Sequence, residues 1–587
     1  MRQVLDGPTQ LRQVARWLEL RAVGLMPEYF HPSDGARAAF ITGVPLLLAL
    51  MTGWKPLGWA IFAAFWTCLA DTGGPEPTRR SFLVGFVAFG SLTTLAASSL
   101  AGLGPGEAVT AGPLLVFMTA LLPIWWTQSS LVATLLGVVA VVAAGYPRTP
   151  ADAAILALSF LCGSAWATLI LTAVWRTDRW LPSRQAVSAV YARIDDMASD
   201  LVHRRVDGQH VGQSQHRRAV RTAIERAHAS LSHVELDDPA MAVRLRLALL
   251  TADEIFHALL ALDHLRIQLD EDTKSALEAI PLLLRASGRA LSGEALAIAE
   301  VGRQADVLVR HMAGRPGADA AAIRAIAAVL SDPDSCTPPS WLPHSGALAA
   351  SRRRIVQAAT RSGTGVGIVT LVAHGLGLGY PYWAAMAVVV ILFPVRQMSW
   401  SRAIERTFGS VIGGVLANIL LTLVPAAWPL LGFIVAATAA TIAVRLVNYT
   451  LFVVFLTLLF VLTMGILHPG DGIAFARMID NILGSIVAIT VTVLIWPEQR
   501  PAAAALAGAA LAANQAYLDA VKAGDTALTA ATRRAAGIAS TEAEIAVHAP
   551  DWVLGAVPNQ SDIADLVAAR RLAGEAAALW YTLRQAP

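Results

Sequence analysis

The sequence predicts an all-α integral membrane protein: two parallel six-helix transmembrane repeats, about 12 spans, with helical domains outside the bilayer. Three observations predict it. Hydrophobic residues make up 55% of the 587 and charged residues 15%, against roughly 25% charged in soluble chains, and mean hydropathy is +0.55. The apolar residues gather into two blocks of six runs. Pairs of residues then recur between the blocks at a fixed offset.

The first block has apolar runs near 37–53, 58–71, 81–102, 109–127, 131–146 and 153–175. The second has them near 363–379, 382–395, 407–424, 426–444, 448–467 and 478–497. A spanning helix needs about 20 apolar residues. The runs at 58–71 and 382–395 fall short, which predicts broken helices or helices tucked against neighbours. Residues 176–360 are charged and periodic. In MAVRLRLALLTADEIFHALLALDHLRIQLD apolar residues return every three or four positions, the mark of amphipathic helices. SDPDSCTPPSWLPHSG is a linker, because its prolines and turn formers cannot continue a helix. Residues 498–587 are alanine-rich and helical in pattern, with a break around HAPDWVLGAVPNQ. The divisions expected are therefore 1–36, 37–175, 176–360, 361–497 and 498–587.

Orientation follows from the basic residues, which favour cytoplasmic loops. With the N-terminus inside, the inner loops hold Arg79, Arg80, Arg396, Arg402, Arg406 and Arg445, and the outer loops hold Lys55, Arg148 and Arg477. Six against three places both charged segments and both termini in the cytoplasm. The polar, basic N-terminus lacks the apolar core of a cleavable signal.

The repeat rests on paired matches. Trp59-Ala60 meets Trp383-Ala384 at an offset of 324, and Gly85 and Gly90 meet Gly409 and Gly414 at the same offset. Gly163-Ser164 with Trp175 meets Gly484-Ser485 with Trp496 at 321. An even number of spans per block makes the halves parallel, a usual layout for a transporter with its path between them.

Other classes are set aside. A net charge of +3 does not suggest nucleic acid as a partner. Cys68, Cys162 and Cys336 form neither a disulfide framework nor a zinc site. His203, His210, His216, His228 and His233 are not spaced for a metal, so no metal or other cofactor is expected. There is no phosphate-binding loop, so an ATP-driven pump is not expected, and no catalytic constellation marks an enzyme.

The stretch PYWAAMAVVVILFPVRQMSWSRAIERTFGSVIGGVLANILLTL, 381–423, resembles the signature of the fusaric acid resistance family, which includes aromatic acid exporters. An aromatic-Trp-Ala start leads through an apolar helix to a basic loop, then to an arginine before x-x-G-x-x-x-G. Trp383, Arg402, Arg406, Gly409, Gly413 and Gly414 hold those places. ARMIDNILGSIVAITVTVLIWP, with Arg477, Gly484, Ser485 and Trp496-Pro497, is similar too, and the first block keeps Trp59, Arg79, Arg80, Gly85 and Gly90. The resemblance implies a bacterial inner-membrane exporter of organic, aromatic acids driven by protons, with a periplasmic adaptor protein as a partner. It leaves open an anion channel of the malate-channel type. A membrane scaffold without transport is the third reading, and the soluble helices could pair two copies into a dimer.

Several residues could carry transport. Arg79, Arg80, Arg402 and Arg406 could attract a carboxylate, since guanidinium matches its geometry, or could mark topology alone. Asp71 reads as a proton-exchanging carboxylate or as a solvated turn residue. His374 reads as a titrating group or as a core histidine bonded to a backbone carbonyl. Arg477 and Asp480, three residues apart on one helical face, read as an ion pair or as a proton-coupling site. Arg445, Asn448 and Tyr449 could line an entrance. Trp59, Trp66, Trp125, Trp126 and Trp383 could stack on an aromatic substrate or mark the bilayer interface. Gly409, Gly413 and Gly414 predict close helix packing.

Overall fold

The computed structural model describes residues 29–71, 76–126, 129–176, 178, 180–203, 211–232, 239–265, 271–291, 295–332, 352–392, 400–424, 426–467, 472–495, 503–548 and 559–584. All regular structure among them is helical. The helices form two compact units, one from 1–179 with 348–498 and the other from 180–347 with 499–587.

The first unit holds α1 Pro32–Thr52, α2 Leu57–Ala70, α3 Glu76–Ala101, α4 Pro105–Ala120, α5 Ser130–Ala144 and α6 Pro150–Leu169. The second unit's middle segment supplies α7 Leu181–His203, α8 Val211–Ser232, α9 Pro239–Leu265, α10 Glu271–Leu291, α11 Ala295–His311 and α12 Ala318–Ser331. The first unit resumes with α13 Arg352–Gly375, α14 Pro381–Leu392, α15 Trp400–Leu423, α16 Ala427–Val444, α17 Tyr449–Leu467 and α18 Ile473–Thr490. The C-terminal helices α19 Ala503–Ala523, α20 Thr526–His548 and α21 Gln560–Leu583 complete the second unit.

Among the described residues, eight helices of the first unit are long and apolar enough to cross a membrane: α1, α3, α4, α6 and α15 to α18. The chain is a multi-pass membrane protein. Helices α2, α5 and α14 are apolar but shorter. At 1.5 Å per residue, the 12 residues of α14 rise about 18 Å against a hydrocarbon core of about 30 Å. Their burial explains the short length. Ten of those 12 residues, from Tyr382 to Leu392, are buried, so α14 is walled by protein and not by lipid. Proline inside α1 (Pro45) and α4 (Pro113) removes one ladder hydrogen bond from each.

Packing in the first unit repeats along the chain. Helix α2 lies on α6, and α14 on α18; α3 lies on α5 and α6, and α15 on α17 and α18. The contacts exchange between the halves: α1 packs on α16, and α13 on α4. Glycine makes the closest approaches. A Cβ on Gly163 would lie 2.2 Å from the Ala60 carbonyl oxygen, and one on Gly484 would lie 2.4 Å from that of Ala384. Both α6 and α18 end in a five-residue π turn, Ile170–Val174 and Val491–Ile495, at the same offset of 321. Gly409, Gly413 and Gly414 seat α15 against Thr450, Val454 and Met478, the close packing their spacing predicted.

Gly484→Ala is therefore expected to force α14 and α18 apart, because the obstructing atom is backbone. Overpacking of this kind costs about 1–3 kcal/mol. Thermal unfolding in detergent should show a lowered midpoint for Gly484→Ala and for Gly163→Ala. Gly432→Ala should unfold like the parent, since nothing lies within 4 Å of a Cβ there.

The second unit is a helical bundle around Ile194, Leu249, Leu259, Ile280 and Ile323. Helix α21 packs on α9 and α12, and α19 packs on α20 and α21. Tyr581 of α21 lies in the same core, so the C-terminal segment completes the bundle that residues 180–332 begin.

Candidate functional site

A cavity of about 360 Å³ opens in the first unit between helices of the two halves. Helices α1, α2, α5 and α6 wall one side, and α16 and α17 the other. It runs from the exposed Lys55, Arg148 and Asp152 to the buried Leu46, Ile61 and Phe65. Trp59, Phe62, Phe65 and Phe460 make its aromatic surface. The rings hold one another edge to face. Trp59 meets Phe62 at 5.5 Å and Tyr146 at 5.8 Å, and Phe65 meets Phe460 at 5.6 Å. Such pairs keep wide apolar faces available to a ligand ring. Two cations against one acid at the exposed end give that end a positive balance.

Phe460 also faces a buried charged group. The Arg477 guanidinium lies 5.9 Å from the Phe460 ring and 5.1 Å from the Trp383 ring. Trp383 itself stacks on Tyr380 at 4.5 Å. Arg406, Arg477, Asp480 and Asn481 are all buried. Helix α18 opens at Ile473, five residues before the apolar run. Arg477 thus sits inside the helix, not in an outer loop. Polar capacity here is unmet: Nε and Nη1 of Arg477, Nε of Arg406, both carboxylate oxygens of Asp480 and Oδ1 of Asn481 have no hydrogen-bond partner. The expected ion pair between Arg477 and Asp480 is not formed. Side chains three apart share a face, but Arg477 turns to the aromatic rings. Leaving such groups dry costs several kcal/mol, so the cluster has both donors and acceptors left for further partners. Arg406 Nη1 donates to the Tyr449 hydroxyl at 3.4 Å.

A second charged cluster gathers at the end of α2. Asp71 is buried, not a solvated turn residue. Arg79 grips it with two parallel bonds, Nε to Oδ1 at 2.6 Å and Nη2 to Oδ2 at 2.7 Å. Arg37 of α1 reaches Oδ2 at 3.2 Å. Arg79 also donates to the Leu171 carbonyl at 3.1 Å, and Arg37 to that of Trp175 at 3.4 Å. From the other half, Arg445 donates to the Cys68 carbonyl at 3.5 Å. Asp71 thus ties α1, α2, α3 and the end of α6 together.

Residues 368–491, which include the buried Arg406–Arg477–Asp480 cluster, match the family model described as fusaric acid resistance protein-like. The chain carries a fusaric acid resistance protein-like segment. A stretch of 129 residues, 21% of this chain, is 32% identical to the uncharacterized membrane protein YvaC of Bacillus subtilis and covers 20% of it. Another of 146 residues, 25% of this chain, is 28% identical to the inner membrane protein YccS of Escherichia coli and covers 20% of that protein. The chain thus spans about a fifth of the length of the curated relatives it matches. No solved structure matches it.

Of the residues singled out by sequence, Trp383, Arg406, Tyr449 and Asp480 fall within the fusaric acid resistance protein-like segment around Arg477. Asp71, Arg79 and Arg445 meet in the other cluster. Trp59 lines the cavity, while Trp66 is buried and stacks on Phe460. Arg80 is exposed. His374 lies in the last turn of α13, exposed, with its Nδ1 bonded to the Thr370 carbonyl at 2.8 Å, so the backbone-bonded reading holds but the core reading does not. Trp125 is exposed, and Trp126 fills the space over Gly85. The side chain of Arg402 and the residues Arg396, Cys336 and Trp496 lie outside the described residues. Sequence reasoning missed Arg37, Phe460 and Asn481. It read Lys55 and Arg148 for topology alone. Arg37 had a legible signal, a cation at the edge of the first apolar run. Phe460 had none, being one apolar residue among many.

Proposed function

We propose that the chain is an inner-membrane secondary transporter that exports organic, aromatic carboxylic acids in exchange for protons. On this reading two parallel repeats of six helices make about 12 spans, and the soluble helices and both termini are cytoplasmic. The single observation that carries the reading is the aromatic cavity, cationic at its exposed end and separated by one ring, Phe460, from an arginine pair with unmet donors. An aromatic acid needs both chemistries, a flat apolar wall and a guanidinium. The family description adds its weight, since it names resistance to fusaric acid, itself an aromatic carboxylic acid.

The carboxylate would rest between Arg406 and Arg477 with its ring against Trp383. Rotation of Phe460 would pass it to the cavity and outward past Lys55 and Arg148. Asp480, unpaired beside Arg477, would take the proton that returns. Proteoliposomes loaded with labelled benzoate test this. An imposed pH gradient should speed efflux several-fold. Efflux indifferent to the gradient sinks proton antiport, and large currents in a planar bilayer would turn the reading to an anion channel. A second expectation concerns the exposed end. Charges lining a cleft raise local anion concentration by about 10-fold or more. The double variant Lys55→Gln, Arg148→Gln should raise the KM for external benzoate in exchange assays by about that factor at low salt, and less at high salt.

A further inference from the structure

The second unit carries a small cavity of its own, with five arginines in its lining. We propose that the space between α8–α9 and the C-terminal helices α19–α21 is a binding site for a small oxyanion, of the size of phosphate or a short carboxylate. The inference is independent of any transport role. The cavity is small, about 70 Å³, enough for a few waters or one such ion and too small for the aromatic acids the first unit would carry.

Charge is the main argument. Arg217, Arg218, Arg221, Arg533 and Arg570 line the cavity, whereas Asp253 and Glu544 are the carboxylates in its lining. Glu544 holds Arg570 at 2.5 Å, and with the paired Asp263 and Glu254 counted the five guanidiniums face four carboxylates, a balance of +1. Acids outside the lining hold some of these arginines in place. Asp263 accepts from Arg217 at 2.5 Å, and Glu254 from Arg533 at 3.0 Å. Asp253 holds Arg533 at 2.6 Å and Arg221 at 3.5 Å. Arg218 has no ion pair among the described residues.

Unmet hydrogen bonds are the second argument. His257 is buried and bonded through Nε2 to the Tyr517 hydroxyl. Its Nδ1 has no partner, nor has Nε of Arg217. Both residues line the cavity. Burial, with Arg533 close by, holds the His257 ring well below its ordinary pKa, so the imidazole stays neutral and adds no charge. Gly537 supplies the third argument. A Cβ there would lie 2.4 Å from Cζ of Arg221, so the glycine makes room for that guanidinium at the cavity wall.

An ion seated here would touch both the 180–332 helices and the C-terminal ones, joining two segments far apart in sequence. Isothermal titration on the detergent-purified full chain, at matched ionic strength in chloride, tests the site. Inorganic phosphate and malonate are the two probes, and whichever saturates identifies a mineral or a carboxylate source. The expected result is saturable binding of one probe, weakened about 10-fold or more by Arg218→Gln, the loss of one charge-assisted bond. Arg303→Gln, at an exposed arginine elsewhere in the unit, should leave binding unchanged. Arg218 is only partly buried, so its loss should spare the fold, which circular dichroism checks. Saturation by neither probe, or equal binding by the Arg218→Gln protein, overturns the proposal.

Discussion

Arg477→Gln is expected to cut proton-driven benzoate efflux from proteoliposomes by about 10-fold to 100-fold, the loss of one charged hydrogen bond of about 1.5–3 kcal/mol. Arg477 is fully buried, and its charge is met by the faces of two rings and by no carboxylate within bonding distance. A cation over an aromatic face gains about 2 kcal/mol when desolvated, less than burying the charge costs. The remainder has to come from water or a bound anion. Removing the charge should therefore cost little stability and much affinity. Two readouts separate these effects. The melting temperature of Arg477→Gln should stay level or rise, while the KM for benzoate rises. Arg477→Lys should recover part of the affinity only, because an ammonium lacks the planar fork. A lowered melting temperature with unchanged KM would instead make Arg477 a packing residue.

Much of this arrangement could be read from the residues themselves. Composition and the two blocks of runs marked a membrane protein, and Gly409, Gly413 and Gly414 marked a face of close packing on α15, whereas Gly163 and Gly484 read only as a repeat and not as the points where α6 meets α2 and α18 meets α14. Periodicity works on α15 because a helix that touches backbone must carry a small residue at that point. The charged clusters were harder to read. Asp71 stood among Thr72, Gly73 and Gly74, ordinary turn formers, and its partners Arg37 and Arg79 lie 34 and 8 residues away. No local pattern links an acid to a cation on another helix. The sequence puts Arg477 in a loop because apolar runs end at charges, whereas the helix starts at Ile473 and carries the charge inside it. The exchange of α1 and α13 between the halves leaves no trace in the sequence, since each is an ordinary apolar helix by composition.

The second large effect concerns Asp71. Asp71→Asn is expected to destabilise the first unit by about 3–5 kcal/mol, the usual cost of orphaning a buried cation. Asparagine keeps the shape and loses the charge, so Arg79, gripped at 2.6 and 2.7 Å, and Arg37, at 3.2 Å, would both lose their carboxylate. Arg37 keeps Asp34 at 3.2 Å, and the penalty therefore falls mainly on Arg79. Thermal unfolding in detergent and the yield of folded protein measure it. The double variant Asp71→Leu, Arg79→Met separates structure from function, because a buried pair replaced by apolar residues of similar volume is often neutral in stability. If the double variant regains the melting temperature but still fails in efflux, the charges serve the transport cycle. The geometry gives that a physical basis. The cluster joins α1, α2, α3 and the end of α6, while Arg445 brings in the neighbouring half at Cys68. Any motion of one half past the other would have to break or reform those bonds. If stability and efflux return together, the cluster is a structural tie, and the moving charges of the cycle are those around Arg477.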